Sequence, residues 1–292
     1  MTITGTCEAL DALLDVHLRM AATDDDDELK AVATALRAYG DDLEAMCRLA
    51  VREGIDEVVD GRRYRRHSYD SLQALEKRFC GARIESALIR SLDLQRGKRL
   101  DCRIMGIEVD IKCSGSTSWM VGKRQVGDLV LLVTYSEKAR KFSVGLIRAS
   151  SDDLNPGANQ DKKRSFSKRG QLKALWLVED AHLPVSILRD LSDAEFRKLL
   201  LLAGRERRVA RFVELIREEV PFSRSVIETV VGGDDPLRGT RRDTNKFGDT
   251  HPLGNFRLVP ADKNRKLADS GLPTLASREW MKVDIAKHPS LD

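Results

Sequence analysis

The sequence lacks the cysteine patterns that define a zinc ribbon or a disulfide scaffold. The number of cysteines is odd, and no two of them are separated by two residues. The five are Cys7, Cys47, Cys80, Cys102 and Cys113. Zinc ribbons need Cys-x-x-Cys pairs, and disulfide frameworks need an even set. We therefore expect reduced thiols and a cytoplasmic location.

Long hydrophobic runs are also missing. The longest apolar stretches, such as residues 129–133, have the length of a strand, whereas a transmembrane helix needs about 20 apolar residues. The chain begins Met1-Thr2-Ile3, without a basic segment before an apolar run, so we expect no signal peptide. The sequence predicts no membrane partner.

The charge balance is close to neutral. The formal net charge is +4, with 50 Lys and Arg against 46 Asp and Glu. Residues 1–150 carry no net charge, so the whole excess lies in residues 151–292. This bias fits a second half that binds nucleic acid, but many globular domains carry as much. Hydrophobic residues at 41% exclude a disordered chain.

Hydrophobic spacing predicts an α/β domain followed by a mainly helical one. A period near 3.6 residues predicts helices over residues 5–55 and 71–92. Residues 126–135 and 142–149 predict strands, the first covered on both faces because its centre is unbroken apolar. Together with a hairpin at residues 101–112, they predict a mixed sheet of at least four strands flanked by helices.

The second half shows helix boundaries. Ser192 with Glu195 three residues later forms a capping-box pattern. Residues 207–220 are amphipathic, and Ser223 precedes a shorter helix that Gly232 ends. Helices joined by short turns, with an arginine-bearing loop beyond them, predict a helix-turn-helix module. We place the domain boundary between residues 180 and 184.

The hairpin is the most informative segment of the chain. Met105-Gly106 can form its two-residue turn, since Gly accepts the positive φ that such turns need. Alternation along the two strands then collects apolar side chains on one face and charged side chains on the other. In this register Asp101 and Asp110 oppose each other, with Cβ atoms about 5 Å apart.

Two opposed carboxylates are destabilising unless a cation lies between them. Asp101 and Asp110 would bind Mg²⁺, with the carbonyl of Ile111 as a third ligand, and the ammonium of Lys112 lies on the same face. This set suits metal-dependent phosphodiester hydrolysis. The alternative is an ordinary exposed hairpin with an Arg103–Glu108 ion pair.

Glu85 is a further candidate for the acidic site. It lies within the apolar stripe of the helix at 71–92, where a carboxylate is costly unless it is paired or metal-bound. It could complete the acidic cluster or bind a second metal ion. Alternatively, it lies at the edge of the stripe and reaches water.

Basic residues supply candidate contacts to a phosphate backbone. Four arginines surround Tyr64, which is available for stacking, and this stretch is either a nucleic-acid contact or a solvated loop. Other candidates lie near the C-terminus. The full set is Arg62, Arg63, Arg65, Arg66, Arg238, Arg241, Arg242, Lys263 and Arg265.

The chain resembles the NaeI-type restriction endonucleases. It has that family's Asp-x8-Asp-x-Lys arrangement at residues 101–112, and Glu85 follows Phe79-Cys80-Gly81 at a matching offset. The resemblance spans most of the chain and is strongest over residues 60–180. Further landmarks are Ser118-Trp119-Met120, Gly145-Leu146-Ile147, Asn159, Asp161 and Lys163-Arg164.

The resemblance implies a restriction-endonuclease-like domain of the PD-(D/E)xK superfamily over 1–180, followed by a DNA-binding, effector-like domain of the winged or helix-turn-helix kind over 184–292. It implies Glu85, Asp101, Asp110 and Lys112 as the catalytic set. It also implies Mg²⁺, a homodimer that cuts a palindromic site in double-stranded DNA, and a cognate DNA methyltransferase as functional partner.

The sequence therefore predicts a Mg²⁺-dependent, site-specific double-stranded DNA endonuclease of a restriction–modification system. A nicking endonuclease of the mismatch-repair kind is an alternative, because it shares this chemistry. A non-catalytic DNA-binding regulator that has kept the fold is another, although a retired site has no reason to keep opposed carboxylates.

Overall fold

The computed structural model describes residues 26–184, 186–232, 237 and 253–292. These residues form two compact units. One comprises the described residues up to Arg48 together with Leu88–Leu183, and the other comprises Leu49–Ala87 together with Pro184–Asp292. The second unit thus includes residues 49–87 as well as residues that follow the expected boundary at 180–184. The chain passes from one unit to the other within two continuous helices, α2 (Asp42–Val59) and α4 (Ala74–Ser91).

The first unit is built on a six-stranded mixed sheet of order β1-β2-β3-β5-β6-β9. Helix α1 (Asp27–Arg37) packs against β6 and β9. The strands are β1 (Gln95–Arg96), β2 (Cys102–Ile104), β3 (Ile107–Ser114), β5 (Leu129–Ser136), β6 (Lys141–Arg148) and β9 (Leu175–His182). The predicted mixed sheet with flanking helices is confirmed. Strand β5 is central and its residues 129–133 are buried, as its unbroken apolar run predicts.

The hairpin has the predicted register. Cys102 pairs with Val109 and Ile104 with Ile107. Met105 and Gly106 form the turn with φ values of 53° and 81°, as a two-residue turn with two positive φ angles requires. Strand β3 then pairs in parallel with β5, so β3 is covered on both sides by neighbouring strands.

A three-stranded sheet of order β4-β8-β7 lies in the same unit. It is formed by β4 (Met120–Val121), β7 (Leu154–Ala158) and β8 (Arg164–Phe166), with the short helix α5 (Lys168–Leu172) after β8. Trp119, which is 2% exposed, precedes β4 and donates its indole N–H to the carbonyl of Val133 at 3.0 Å. This bond ties the start of β4 to central strand β5.

The second unit combines helices with a three-stranded sheet of order β10-β12-β11. Its core lies between helices and sheet and includes Phe196, Phe212, Phe222 and Trp280. Besides the parts of α2 and α4 within Leu49–Ala87, its elements are α3 (Gly61–Tyr64), α6 (Asp193–Leu201), α7 (Arg205–Leu215), β10 (Pro221–Ser223), α8 (Arg224–Val231), β11 (Phe256–Pro260), α9 (Asn264–Asp269) and β12 (Glu279–Asp284).

Two helix boundaries of the second unit follow the sequence predictions. Ser192 accepts from the backbone N–H of Glu195, whose side chain returns to the N–H of Ser192. Ser223 precedes α8, and Gly232 ends it with a φ of 69°. Within the described residues, no helix combines the length and hydropathy needed to cross a membrane.

Candidate active site

The acid pair predicted from the hairpin comes together at the start of β2. Asp101 lies one residue before β2, and its Oδ2 accepts the backbone N–H of Ile111 at 2.7 Å. The carboxylate of Asp101 lies close enough to Asp110 to raise the pKa of that residue. The side chain of Asp101 therefore binds the backbone N–H of Ile111 on β3. In a longer β2, the backbone of that strand would form this bond instead.

Asp110 is buried, with 1% of its surface exposed. Its Oδ2 lies 2.6 Å from Nζ of Lys112 and accepts from the side-chain amide of Gln125 at 3.0 Å. Burial raises the pKa of Asp110 to about 6, and the Asp101 carboxylate adds to this effect while Lys112 opposes it. Two donors thus fix one carboxylate oxygen of Asp110.

The orientation of the Gln125 amide follows from its second bond. Gln125 lies in the 3₁₀ turn Lys123–Gln125 that follows β4, and its Oε1 accepts the backbone N–H of Gly122 at 2.9 Å. Since Oε1 is the acceptor there, Nε2 is the group that faces Asp110. Gln125 therefore links the three-stranded sheet to the acid pair.

Glu108 holds the loop that carries Asp101. Its carboxylate accepts the backbone N–H groups of Lys98, Arg99 and Leu100 at 3.0, 3.1 and 2.9 Å. These bonds lower the pKa of Glu108 to about 2. The Nε of Arg103, the cross-strand partner considered as the alternative, lies 3.6 Å from Oε1 of Glu108. The ion pair is therefore present, but the three backbone N–H groups bind Glu108 at shorter distances.

A second clamp acts on the same loop. The guanidinium of Arg99 donates both terminal N–H groups to Asp128 at 2.6 Å. Gly97 packs so closely that an added Cβ would lie 2.2 Å from the carbonyl oxygen of Leu100 and 2.8 Å from Oε2 of Glu108. The loop before Asp101 is therefore fixed by two carboxylates and by a glycine.

The donor set fits a hard divalent cation. Asp101 and Asp110 offer carboxylate oxygens side by side, and Mg²⁺ in proteins is commonly held by one or two carboxylates together with waters. The described residues contain no cluster of three or more His, Cys, Asp or Glu side chains placed to hold a metal ion. Within the first unit, the protein ligands would then be the two aspartates and a backbone carbonyl such as that of Ile111.

Glu85 belongs to the helix expected from the sequence. It is half-buried on α4, in the part of that helix that belongs to the second unit. Asp101, Asp110 and Lys112 belong to the first. Its membership of the acidic site remains a prediction.

The residues predicted to contact DNA differ in their exposure and in the bonds that they form within the protein. Arg66 is 14% exposed at its side chain and is bound within its own unit, to Glu76 at 2.8 Å and to the carbonyl of Val58 at 2.7 Å. Arg63 is exposed and lies 3.6 Å from Asp60. Exposed residues of the set are Arg65, Lys263 and Arg265. The side chain of Arg62 and the residues Arg238, Arg241 and Arg242 lie outside the described part of the chain.

Gln125 and the loop-holding role of Glu108 were not predicted. Glu108 carried a local signal, since it lies on the charged face of the hairpin beside the acid pair. Gln125 carried none, because its contact with Asp110 depends on how β4 packs rather than on spacing along one strand.

Comparisons with known proteins agree with this geometry. The model of the family described as "Restriction endonuclease NaeI" matches residues 30–252. The chain is also similar to the type II restriction enzyme NaeI of Lentzea aerocolonigenes, with 27% identity over 275 residues, which cover 89% of this chain and 84% of that protein. The matched region contains the hairpin, the acid pair and most of the helical second half.

Proposed function

Since the chain belongs to the restriction endonuclease NaeI family and is a site-specific deoxyribonuclease, we propose that Asp101, Asp110 and Lys112 carry its hydrolytic reaction with Mg²⁺. The observation that supports this is the convergence of two carboxylates and one ammonium, with Lys112 at 2.6 Å from Asp110. Glu85 completes the proposed catalytic set.

The proposed metal ligands are Asp101, Asp110 and the carbonyl of Ile111, with Glu85 as a further carboxylate. Mg²⁺ held there would supply Lewis acidity toward the phosphate and lower the pKa of a bound water. Lys112 would orient the attacking water and offset charge that develops on the phosphate oxygens. Gln125 and Glu108 would keep the two aspartates in place while the phosphate enters.

The role proposed for residues 184–292 is duplex binding by a helix-turn-helix. Helices α6 and α7 are joined by residues 202–204, and Gly204 has a φ of 84°, which suits the short turn of such a motif. The exposed Arg207 lies on α7. The arginine-bearing loop after α8 lies outside the described residues, so its part in binding rests on its charge alone.

The biological setting that we propose is a restriction–modification system. The enzyme would act as a homodimer on a palindromic site, because a two-fold protein matches a two-fold sequence. A cognate DNA methyltransferase would protect the host's own sites. The two-domain assignment, with an endonuclease unit and a DNA-binding unit, belongs to the same proposal.

Plasmid and genomic digestion tests the proposal. Incubation with Mg²⁺ should yield linear DNA whose sequenced ends share one palindromic site, and EDTA should stop the reaction. Nicked circles without linear product would favour the mismatch-repair type of enzyme. Tight duplex binding without cleavage under any divalent metal would favour a regulator and reject the catalytic proposal.

A further inference from the structure

Four exposed cations lie at one end of the three-stranded sheet. Val121 on β4 pairs with Arg164 on β8 in an antiparallel register. The chain therefore leaves β4 and enters β8 at the same end of the sheet. The residues that follow β4 there include Lys123 and Arg124, and those that precede β8 are Lys162 and Lys163. We call these four residues the cationic rim.

The same end of the sheet faces the acid pair. Gln125 comes directly after Arg124 and donates to Asp110, while its Oε1 accepts from Gly122, the first residue after β4. The cationic rim is thus joined to the proposed phosphate-binding site by one short 3₁₀ turn within a single compact unit.

The rim is a fixed platform rather than a loose loop. Asn159 closes the β7–β8 turn by accepting the backbone N–H of Lys163 at 2.9 Å. Arg164 is used internally, since its Nε donates to the carbonyl of Asn155 at 2.6 Å and its Nη2 to that of Leu154 at 2.8 Å. Arg164 therefore holds the turn through internal bonds, whereas Lys162 and Lys163 are exposed.

Charge is the second property of the rim. Among the described residues, the side chains of its four members form no ion pair, although Asp161 lies next to Lys162 in the sequence. Some other cations of this unit do form ion pairs, such as Arg99 with Asp128 and Lys173 with Asp153. A group of exposed, unpaired cations beside an acidic site is suited to a polyanion that spans both.

We propose that the cationic rim binds the sugar–phosphate backbone of duplex DNA next to the bond that is cut. This rests on the proposed function of the acid pair and adds where the substrate runs. Lysine and arginine side chains commonly contact phosphate oxygens, and such contacts position a duplex without reading its sequence. The rim would therefore place the duplex over the acid pair and contribute equally for every sequence.

Equilibrium binding to a short duplex in Ca²⁺, with the full chain, tests the rim. The rim variant is Lys162→Asn with Lys163→Ala, where Asn is chosen because residue 162 has a φ of 58°. The matched control is Arg140→Asn with Lys138→Ala, since residue 140 has a φ of 54°. Those two exposed cations follow β5, about 23 Å along the strand from the level of Asp110.

The rim variant should bind a duplex that carries the cleavage site and an unrelated duplex with the same loss, on the order of tenfold, and the slope of log affinity against log salt should fall by about 2. The control should match the wild type. A rim variant with wild-type affinity and slope, or a loss confined to the cleavage-site duplex, would overturn the proposal. If the wild type cuts DNA while rim and control variants behave alike, the proposed function survives and the rim fails.

Discussion

The backbone N–H of Leu100 donates to the carboxylate of Glu108 at 2.9 Å, one residue before Asp101. Two neighbouring N–H groups, from Lys98 and Arg99, reach the same carboxylate. Glu108 thus acts on Asp101 through the backbone, because the loop that ends at Asp101 can move only if these bonds break. It is a positioning residue for the acid pair.

Replacing Glu108 should weaken metal use while the fold persists. Glu108→Ala removes the acceptor of three N–H groups, so Asp101 loses its fixed place. We expect the Mg²⁺ concentration for half-maximal cleavage to rise on the order of 10- to 100-fold, as for other residues that support metal ligands. A Mg²⁺ titration of plasmid cleavage measures this.

Arg103→Ala is the control for Glu108. It removes the cross-strand partner at 3.6 Å and leaves the loop contacts intact, so its Mg²⁺ requirement should stay at the wild-type value. Equal shifts in Glu108→Ala and Arg103→Ala would show that the ion pair, rather than the loop, matters.

Gln125 should support Asp110 in the same way. Gln125→Met keeps the length of the side chain but removes the donor to Asp110 and the acceptor for Gly122. The Mg²⁺ concentration for half-maximal cleavage should again rise on the order of 10- to 100-fold. Asn155→Ala is the comparison, because Asn155 binds Ser165 and Phe166 in the same small sheet without touching the acids.

The two substitutions separate positioning from stability. Asn155→Ala should lower the melting temperature and leave the Mg²⁺ requirement unchanged. A Mg²⁺ requirement in Gln125→Met that equals the wild-type value would refute the role given to Gln125, even if the melting temperature falls.

Asp26 predicts a pH-dependent stability. It caps α1 by accepting the N–H of Leu29 and pairs with Arg148, whose Nη2 lies 2.7 Å from Asp26 Oδ1. This bond to Arg148 lowers the pKa of Asp26 below its usual 3.8. A lowered pKa means that the stabilisation is complete above the unfolded value and is lost as the pH falls through the folded one.

Asp26→Asn isolates the charge, because Asn caps helices as well as Asp does. The free energy of unfolding at pH 7 should fall by about 1 kcal/mol, the scale of a charge-assisted pair that is partly exposed. The difference should shrink well below pH 3.8. Denaturant unfolding at pH 7 and at pH 2.5 measures it, and an equal difference at both values would contradict the prediction.

The hairpin could be predicted because its determinants are local. Met105-Gly106 fixes the turn, and strict alternation then fixes which side chains meet, so Asp101, Asp110 and Lys112 follow from spacing alone. The central position of β5 follows equally from its unbroken apolar run.

Other features depend on contacts between distant segments. The bond between Gln125 and Asp110 requires the turn after β4 to lie against β3, and no periodicity encodes that arrangement. The chain crosses from one unit to the other within α2 and α4. The apolar spacing of these helices predicts a buried face but does not identify what that face packs against. The internal bonds of Arg66 could not be predicted for the same reason, since its charge is equally compatible with exposure to solvent and with contact to DNA.

In the proposed mechanism the reaction depends most on Asp110 and Lys112, and the rate of plasmid cleavage in Mg²⁺ tests that proposal directly. Asp110→Ala and Lys112→Ala should each cut more slowly by on the order of 10³-fold or more, the equivalent of several kcal/mol of lost transition-state stabilisation. Lys173→Ala, which removes a lysine from a 2.7 Å pair with Asp153 in the same unit, should cut at the wild-type rate when folded. Undiminished cleavage by Asp110→Ala or Lys112→Ala would contradict the account.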